Sequence, residues 1–409
     1  MSDARLREFR YRNSTTFQTV FANAATTYWN TDNAVKLELT AYDATGLVQE
    51  GLEDPTLQTR LHQKGAPTPG LSKGELTFST YLTGAETDLT GGAVPNMLRA
   101  IVGGRTAPTN ARSTTATGGT TTNITLDAAN SYVVAGQAVL VGVRGDGRGM
   151  GEARPINAVG TGWVGLTFAI NAAASSGDAL VFSDTIHLDE TGNQEYFETL
   201  AIGAAAADQR QTIGAGATFE VGGMGMGERP TVDVTLAASD HRHVPVSDQS
   251  SFTHGTAPSG GTPAFSKAIG LFHMGDHGDT TRTAYKAGDF TFTPGLELEE
   301  QPDLAGVNGV GGLEQIMTTP TLEATLLYDQ DMLGLKADFD AQTAKAGLLQ
   351  LGHEATKAVA IELPKCYVDN LPEDAVIGNL AGVKVMVHGT EDFVDGDELA
   401  SSVFKIHMF

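Results

Sequence analysis

A single cysteine, Cys366, stands in 409 residues. No disulfide framework and no thiolate metal cage can be built within such a chain, and in the strand-like run ELPKCYVDN this thiol reads as a small core residue. Positive charge is also scarce, with 26 Lys and Arg against 49 Asp and Glu and a formal net charge of −23. That balance excludes a protein that grips nucleic acid through its phosphates. It still allows one that lets nucleic acid pass without sticking. Only 7% of the residues are aromatic and only two are Trp, which is few for a sugar-stacking platform. No window approaches the roughly 18 continuous apolar residues of a membrane-spanning helix. The opening stretch MSDARLREFRYRNSTTF has no apolar h-region, so a soluble protein made in a cytoplasm and not exported by a standard route is expected.

Catalytic vocabulary is equally thin. There is no G-x-S-x-G elbow, no S-x-x-K with partner motifs and no Gly-Lys-Ser/Thr after a glycine-rich loop. The nearest approach to a metal site is DHRH, with Asp240, His241 and His243, and HMGDHGD, with His273, Asp276, His277 and Asp279. An H-x-H pair on a strand puts both imidazoles on one face, and His273 and His277 at i, i+4 would do the same on a helix. The second stretch carries two glycines and no helical stripe, and no third cluster completes a triad. These histidines therefore read as polar linker residues, with a structural metal as the alternative. Acidic runs such as LELEEQPD (Glu297, Glu299, Glu300, Asp303) lack the EF-hand pattern and read as a solvated face. No catalytic residue, metal or cofactor is expected, and an enzyme is the last reading in order.

What is present is glycine, 49 residues of it, and 41% hydrophobic content, with many short runs that alternate at a period of two. In GELTFSTYLTG, Leu76, Phe78 and Leu82 share one face; in NAVKLELTAYD, Val35, Leu37 and Leu39 do. Both patterns predict half-buried antiparallel strands. A polar segment of residues 43–74 separates them, too long for a hairpin loop and suited to a contact arm. AVPNMLRAIVGG predicts a short helix that begins at Pro95, turns Met97, Leu98, Ile101 and Val102 inward, and stops at Gly103. After the linker-like RTAPTNARSTTATGGTTTN, short strands over residues 108–187 predict a small β insert with Trp163 in its core. SDQSSFTHGTAPSGGTPAF is a second low-complexity bridge.

The turn word TPGL at Thr68 to Leu71 returns at Thr293 to Leu296, and the order of elements returns with it. DFTFTPGLELEEQPDLAGVNGVGGLEQ reads as a strand and a long Gly-rich loop, and TPTLEATLLYD as the next strand. MLGLKADFDAQTAKAG reads as a helix, with Leu335, Phe339 and Ala346 in register and Gly347 as its stop. KAVAIELPKCYVDN and AGVKVMVHG complete the set as strands. The order of elements, rather than residue identity, implies an internal duplication. The expected organisation is an N-terminal arm (1–30), a discontinuous first module (31–107 and 188–258), the insert (108–187) and a second module (259–409). Arg5, Arg7, Arg10 and Arg12 concentrate basic charge in the arm, a device for self-association on an acidic body or else a frayed terminus.

The succession NAVKLELTAYD, long loop, TPGLSKGELTFSTYLTG, NMLRAIVGG resembles the tail tube (major tail) proteins of long-tailed bacteriophages, and the second half is similar to the same group. The β insert is similar to small accessory domains that such proteins carry. The resemblance implies a mainly β fold of two tandem sandwich or barrel modules, each with one short helix, plus the inserted β domain. It implies a virion structural protein, made in the host cytoplasm, whose rings stack into a hollow tube with a negatively lined channel for double-stranded DNA. Two modules per chain imply rings of three copies with pseudo-sixfold symmetry, with rings of six as the alternative. Other implied partners are the tape measure, terminator and distal tail proteins, and no membrane span is implied. Inter-subunit or inter-ring contacts are then expected at Arg5, Arg7 and Arg10, around Leu47, Leu52 and Leu57, and around Leu304, Val310 and Leu313. The rival readings are a secreted or surface β-rich binding module for carbohydrate or adhesion, and another virion part such as a capsid or baseplate subunit.

Overall fold

Alternation at a period of two becomes alternation of burial. Along Gly74–Tyr81, Leu76, Phe78 and Thr80 are buried while Glu75 and Thr77 face solvent. The computed structural model describes residues 6–17, 34–47, 51–52, 68–69, 73–84, 92–109, 112–127, 133–142, 151–189, 194–203, 209–223, 229–243, 270–307, 310–327, 332–354, 357–370, 373–377, 380–392 and 398–409. Strands β1 (Leu6–Ser14), β2 (Val35–Leu37), β3 (Leu39–Asp43), β4 (Gly51–Leu52), β5 (Thr68–Pro69) and β6 (Gly74–Tyr81) lead to helix α1 (Ala93–Val102) and β7 (Gly103–Thr106). Then come β8 (Ser113–Gly119), β9 (Asn123–Leu126), β10 (Ala138–Gly142), β11 (Glu152–Gly160), β12 (Trp163–Leu166) and β13 (Ala179–Phe182). They are followed by β14 (Asp184–Leu188), β15 (Tyr196–Gly203), β16 (Gln209–Gly222), β17 (Thr231–Ala238) and β18 (Asp240–His243). The rest of the chain holds β19 (Gly270–Asp276), β20 (Thr283–Thr293), β21 (Leu296–Val307), β22 (Val310–Met317), β23 (Thr321–Leu327) and α2 (Met332–Ala341). It ends with β24 (Lys345–Leu351), β25 (Val359–Val368), β26 (Glu373–Ile377), β27 (Leu380–Gly389), α3 (Glu398–Ser401) and β28 (Lys405–Met408).

The antiparallel pairings trace two circuits. In the first, β1 pairs with β2, whose continuation β3 pairs with β6; from there the route is β17, β16, β15 and back to β1. In the second, β19 pairs with β20, and the route is β23, β27, β25, β24 and back to β19. Both visit their strands in one chain order: first, second, third, sixth, fifth, fourth. The irregularities match as well. Register slips between Leu39 and Ala41 opposite Thr80 and Ser79, and between Ala287 and Asp289 opposite Leu326 and Thr325. It slips again between Phe197 and Thr199 opposite Ala215 and Thr212, and between Lys345 and Gly347 opposite Cys366 and Leu363. A bulge re-aims every side chain beyond it, so bulges at equivalent places mark one fold written twice. The protein is thus mainly β, built of two modules of one topology, each with a short helix after its third strand.

The insert is a third closed structure, a barrel in the order β10-β11-β12-β9-β8-β13. Its core is Ile124, Val139, Val164, Leu166, Leu180 and Phe182. Trp163, expected in that core, is only half-buried, because its ring lies against Gly160 across the β11–β12 turn. The barrel ends at Phe182, and β14, inside the expected insert, belongs to the body: it pairs with β7 and β28. Although the insert interrupts the first module, it is fastened to the second. Gln350 accepts the Ala153 N–H at 2.9 Å and donates to the Gly151 carbonyl at 2.7 Å. Leu140, Ala153 and Phe168 pack with Leu348, Ala360 and Phe409.

Other expectations change with tertiary context. The N-terminal stretch is no arm over residues 6–14. It is the first strand of the first circuit, with Phe9 and Tyr11 about 1% exposed, because alternation there supplies a core face. Helix α1 begins at Ala93, with Pro95 in its first turn, and stops at Gly103, whose φ of 91° suits a residue without a side chain. Helix α2 ends at Ala341, with Gln342 at φ 51°. Ala346 and Gly347, read as its last turn, lie in β24 between β19 and β25. The Gly-rich loop after the second TPGL is a paired hairpin, β21–β22. The bridge SDQSSFTHGTAPSGGTPAF lies outside the described residues. Strand β28, which the sequence did not announce, pairs with both β25 and β14.

Candidate assembly surface

The two circuits are joined through one strand. Along one edge β16 runs beside β17 and β18 in a single register, from Gly222 opposite Thr231 to Arg210 opposite His243. Along the other edge its first part closes the first circuit through β15, up to Ala215. Its last residues leave that circuit and pair with the second: Val221 opposite Phe292, Gly222 opposite Thr291. Val221 and Phe292 are fully buried, so the junction is sealed by apolar packing as well as by backbone hydrogen bonds. One sheet therefore runs β3-β6-β17-β16-β20-β23-β27-β26 across both modules.

The outer face of this sheet is polar, rich in Thr and Ser, and most of its charges are acidic. Glu220 stands opposite Asp233, and Asp233 opposite Ser79. The next row runs Gly222, Thr291, Glu323, Met386. Glu75, Asp233, Glu220 and Asp289 are exposed and Glu323 is half-buried. Lys384 offsets Glu323 at 2.8 Å. Partial burial, then the neighbouring Asp233 and Glu323 charges, raise the Glu220 carboxyl above its usual range. Like charges are thus held close on one face, an arrangement that repels a polyanion.

The hairpin β21–β22 folds back over the first module. Leu298 and Leu313 lie on Gly216 of β16, where any side chain would collide with Leu298. Tyr196 donates to the Leu313 carbonyl at 3.2 Å and Gln315 to the Ala217 carbonyl at 3.3 Å. Under the hairpin lies a cavity of about 590 Å³, lined in part by Ile101, Tyr196, Leu298 and Met317. Glu297, Glu299 and Glu314 on the hairpin are exposed, and Lys73 meets Glu300 at 2.6 Å.

The expected contact residues divide accordingly. Val310 and Leu313 are 2% and 8% exposed, buried against their own chain rather than offered to a neighbour. Leu47 bridges to Gly74 and packs against the core. Arg10 is buried and pairs with Glu8, so it is no part of a mobile basic arm. Leu52 lies on the two-residue strand β4 and Leu304 on β21. Arg7 lies on β1, and Arg5 and Leu57 fall outside the described residues. No residue pattern announced the β16–β20 junction; its signal in the sequence is only the length of the QRQTIGAGATFEVG run.

The histidines are structural in their surroundings. His241 and His243 sit on β18 against Thr212 and Arg210, on a strand and not in a linker. His273 is 2% exposed on β19. Arg282 donates to its Nδ1 at 2.6 Å, and burial, then the Arg154 and Arg282 charges, push its pKa down to about 2. His277 lies in the following turn, 3.1 Å from the Pro364 carbonyl and 3.4 Å from Asp392. Among the described residues no group of three or more His, Cys, Asp or Glu is arranged to hold a metal ion. Cys366 is fully buried and its thiol is pushed up to about 12, chiefly by burial. No helix among them is long and apolar enough to cross a membrane. No protein-family model matches the chain, and no curated protein matches it.

Proposed function

We propose that the chain is a tail tube subunit of a long-tailed phage: a virion structural protein whose rings stack into a conduit for double-stranded DNA. The observation that carries this reading is the β16–β20 junction. Two equal modules laid side by side, with one sheet running through both, are what one third of a six-module ring requires. In this reading three copies make the ring, and the acidic outer face of the shared sheet turns toward the channel. Glu75, Asp233, Glu220, Asp289 and Glu323 then face the phosphates. Repulsion keeps the polyanion hydrated and moving, because ion pairs with counterion release, the usual source of affinity for DNA, cannot form. No catalytic step is involved, and neither cofactor nor metal is required.

Electron microscopy of the purified protein tests the reading. Hollow polymers whose cross-section has threefold or pseudo-sixfold symmetry support it; persistent monomers at high concentration, or monomers that bind a glycan, refute it. The channel assignment has its own test. Replacing Glu220 and Asp233 by Lys should leave tubes able to form but make them retain linear duplex DNA at low salt, where wild-type tubes release it. Equal release from both would place the acidic face elsewhere than the channel wall.

A further inference from the structure

A contact between copies presupposes the proposed ring, and the duplication within the chain supplies a template for it. The internal junction joins the end of a fifth strand, at Val221 and Gly222, to the end of a second strand, at Phe292 and Thr291. Each participant has a counterpart in the other module. Val232 of β17 faces Thr80 and Val221, and Val383 of β27 faces Leu326 and Asp374. Thr80 and Leu326 are themselves equivalent, each lying next to the shared bulge. Asp374 therefore corresponds to Val221 and Ala375 to Gly222, so β26 is the second half of the fifth strand of its module. By the same registers Asp43 corresponds to Thr291 and Ala44 to Phe292.

These counterparts have no such junction in the single chain. Among the described residues β26 pairs only with β27, and β3 only with β6. Asp374 is exposed and Ala375 half-buried. A strand edge with unpaired backbone groups invites another strand, and here the chain itself shows which one fits. We infer that β26 of one copy pairs antiparallel with the end of β3 of a second copy, Ala375 opposite Asp43 and Asp374 opposite Ala44. The β16–β20 junction is thereby repeated between chains, and Asp43 continues the acidic face across it. The Ala44 carbonyl already accepts from the Leu47 N–H at 3.2 Å and from Arg210 at 3.1 Å, which fills its two lone pairs, so a strand N–H that bonds to it displaces one of these donors. The apolar seal of Val221 on Phe292 is replaced by Asp374 beside Ala44, which makes the contact between chains weaker than the one within.

Paired cysteines test the register. Residues opposite each other in an antiparallel pair have Cα atoms about 4.5–5.5 Å apart, inside the range of roughly 4.4–6.8 Å that a disulfide spans. The double variant Asp43→Cys with Ala375→Cys should, on mild oxidation of assembled protein, give a covalent ladder on a denaturing gel that ends in one closed species. Each single variant should stay monomeric, the buried Cys366 contributing nothing. Gly222→Cys with Thr291→Cys is the internal control and should cross-link within one chain. If rings or tubes form, the control cross-links and the Asp43/Ala375 pair does not, the inferred junction is wrong while the tube reading stands. If neither variants nor wild-type protein assemble at all, the tube reading falls and the inference with it.

Discussion

Phe9 and Phe272 occupy one register position in two circuits, each about 1% exposed, yet the helices above them differ. Helix α1 buries eight of its ten residues, among them Met97, Leu98 and Ile101, because it is covered. Strand β14 lies against it, and Ile101 lines the cavity beneath the hairpin of the second module. In α2 only Leu335 is fully buried among the described side chains, and Lys336 and Asp340 form an exposed i, i+4 pair. The same element in the same place is thus a core helix in one module and a surface helix in the other. What differs is the neighbour. Covered elements need apolar surface on two sides, whereas uncovered ones keep a solvated face.

The fifth strands differ in the same way. In the first module Gln211 is buried and donates to Glu198 at 2.7 Å. Glu362, its counterpart by register, is enclosed by β28, with His407 at 2.9 Å and Lys405 at 3.9 Å. From His407 a relay continues through Thr185 at 3.0 Å and Ser183 at 2.8 Å to the Ala138 N–H at the root of the insert. Burial alone would raise the Glu362 carboxyl, but the Lys405 charge and the His407 hydrogen bond hold it below its ordinary value. His407 is itself pushed down by burial. At this register position the second module therefore rests on a buried ionic cluster, where the first has a neutral Gln211 beside Glu198.

Breaking that cluster should give the largest difference between the modules. Glu362→Ala strands the buried Lys405 charge and should cost about 3–5 kcal/mol in chemical denaturation. Gln211→Ala should cost less, about 1–3 kcal/mol; equal losses would show that the cluster adds nothing. Next come Leu76→Ala and Leu322→Ala at matched register positions, each about 1% exposed. Both should lose about 2–5 kcal/mol, and a silent change at either site would show that the circuits do not bear equal loads.

Acid should act on the second module first. His407 and His273 have folded pKa values below the unfolded value of about 6.5, and Glu362 one below its unfolded value of about 4.3. Unfolded chains then bind more protons, so this stability is complete above pH about 6.5 and falls as pH drops through the histidine and then the carboxylate range. Thermal melts from pH 8 to pH 4 should show Tm falling, with a shallower fall in His407→Gln; identical slopes would remove His407 from the account. The smallest effect belongs to the exposed face. Glu220→Gln relieves repulsion from Asp233 and should stabilise by no more than about 0.5 kcal/mol after solvent screening. A destabilised Glu220→Gln variant would mean that the carboxylate is held by an attraction rather than opposed.

Strand character and module order were legible because alternation such as Leu76, Phe78, Leu82 is written residue by residue, and burial follows it directly. Helical spacing carries the second helix on through Gly347 because a short segment can satisfy that spacing by chance. Pairing with β19 and β25 claimed Ala346 and Gly347 for the sheet. Val310 and Leu313 read as outward contact residues because apolar positions in a Gly-rich run carry no mark of what covers them; for Leu313 the answer lies in β16, about a hundred residues away.

The chain by itself determined a mainly β, acidic protein with a duplicated order of elements, because composition and periodicity are local properties. Closure of the circuits, the passage of β16 from one module to the other, the fastening of the insert to the second module and the burial of Glu362 beneath β28 were decided only by tertiary structure. Each depends on which distant strand edge a backbone meets, and backbone hydrogen bonds carry no side-chain signature that a sequence could display.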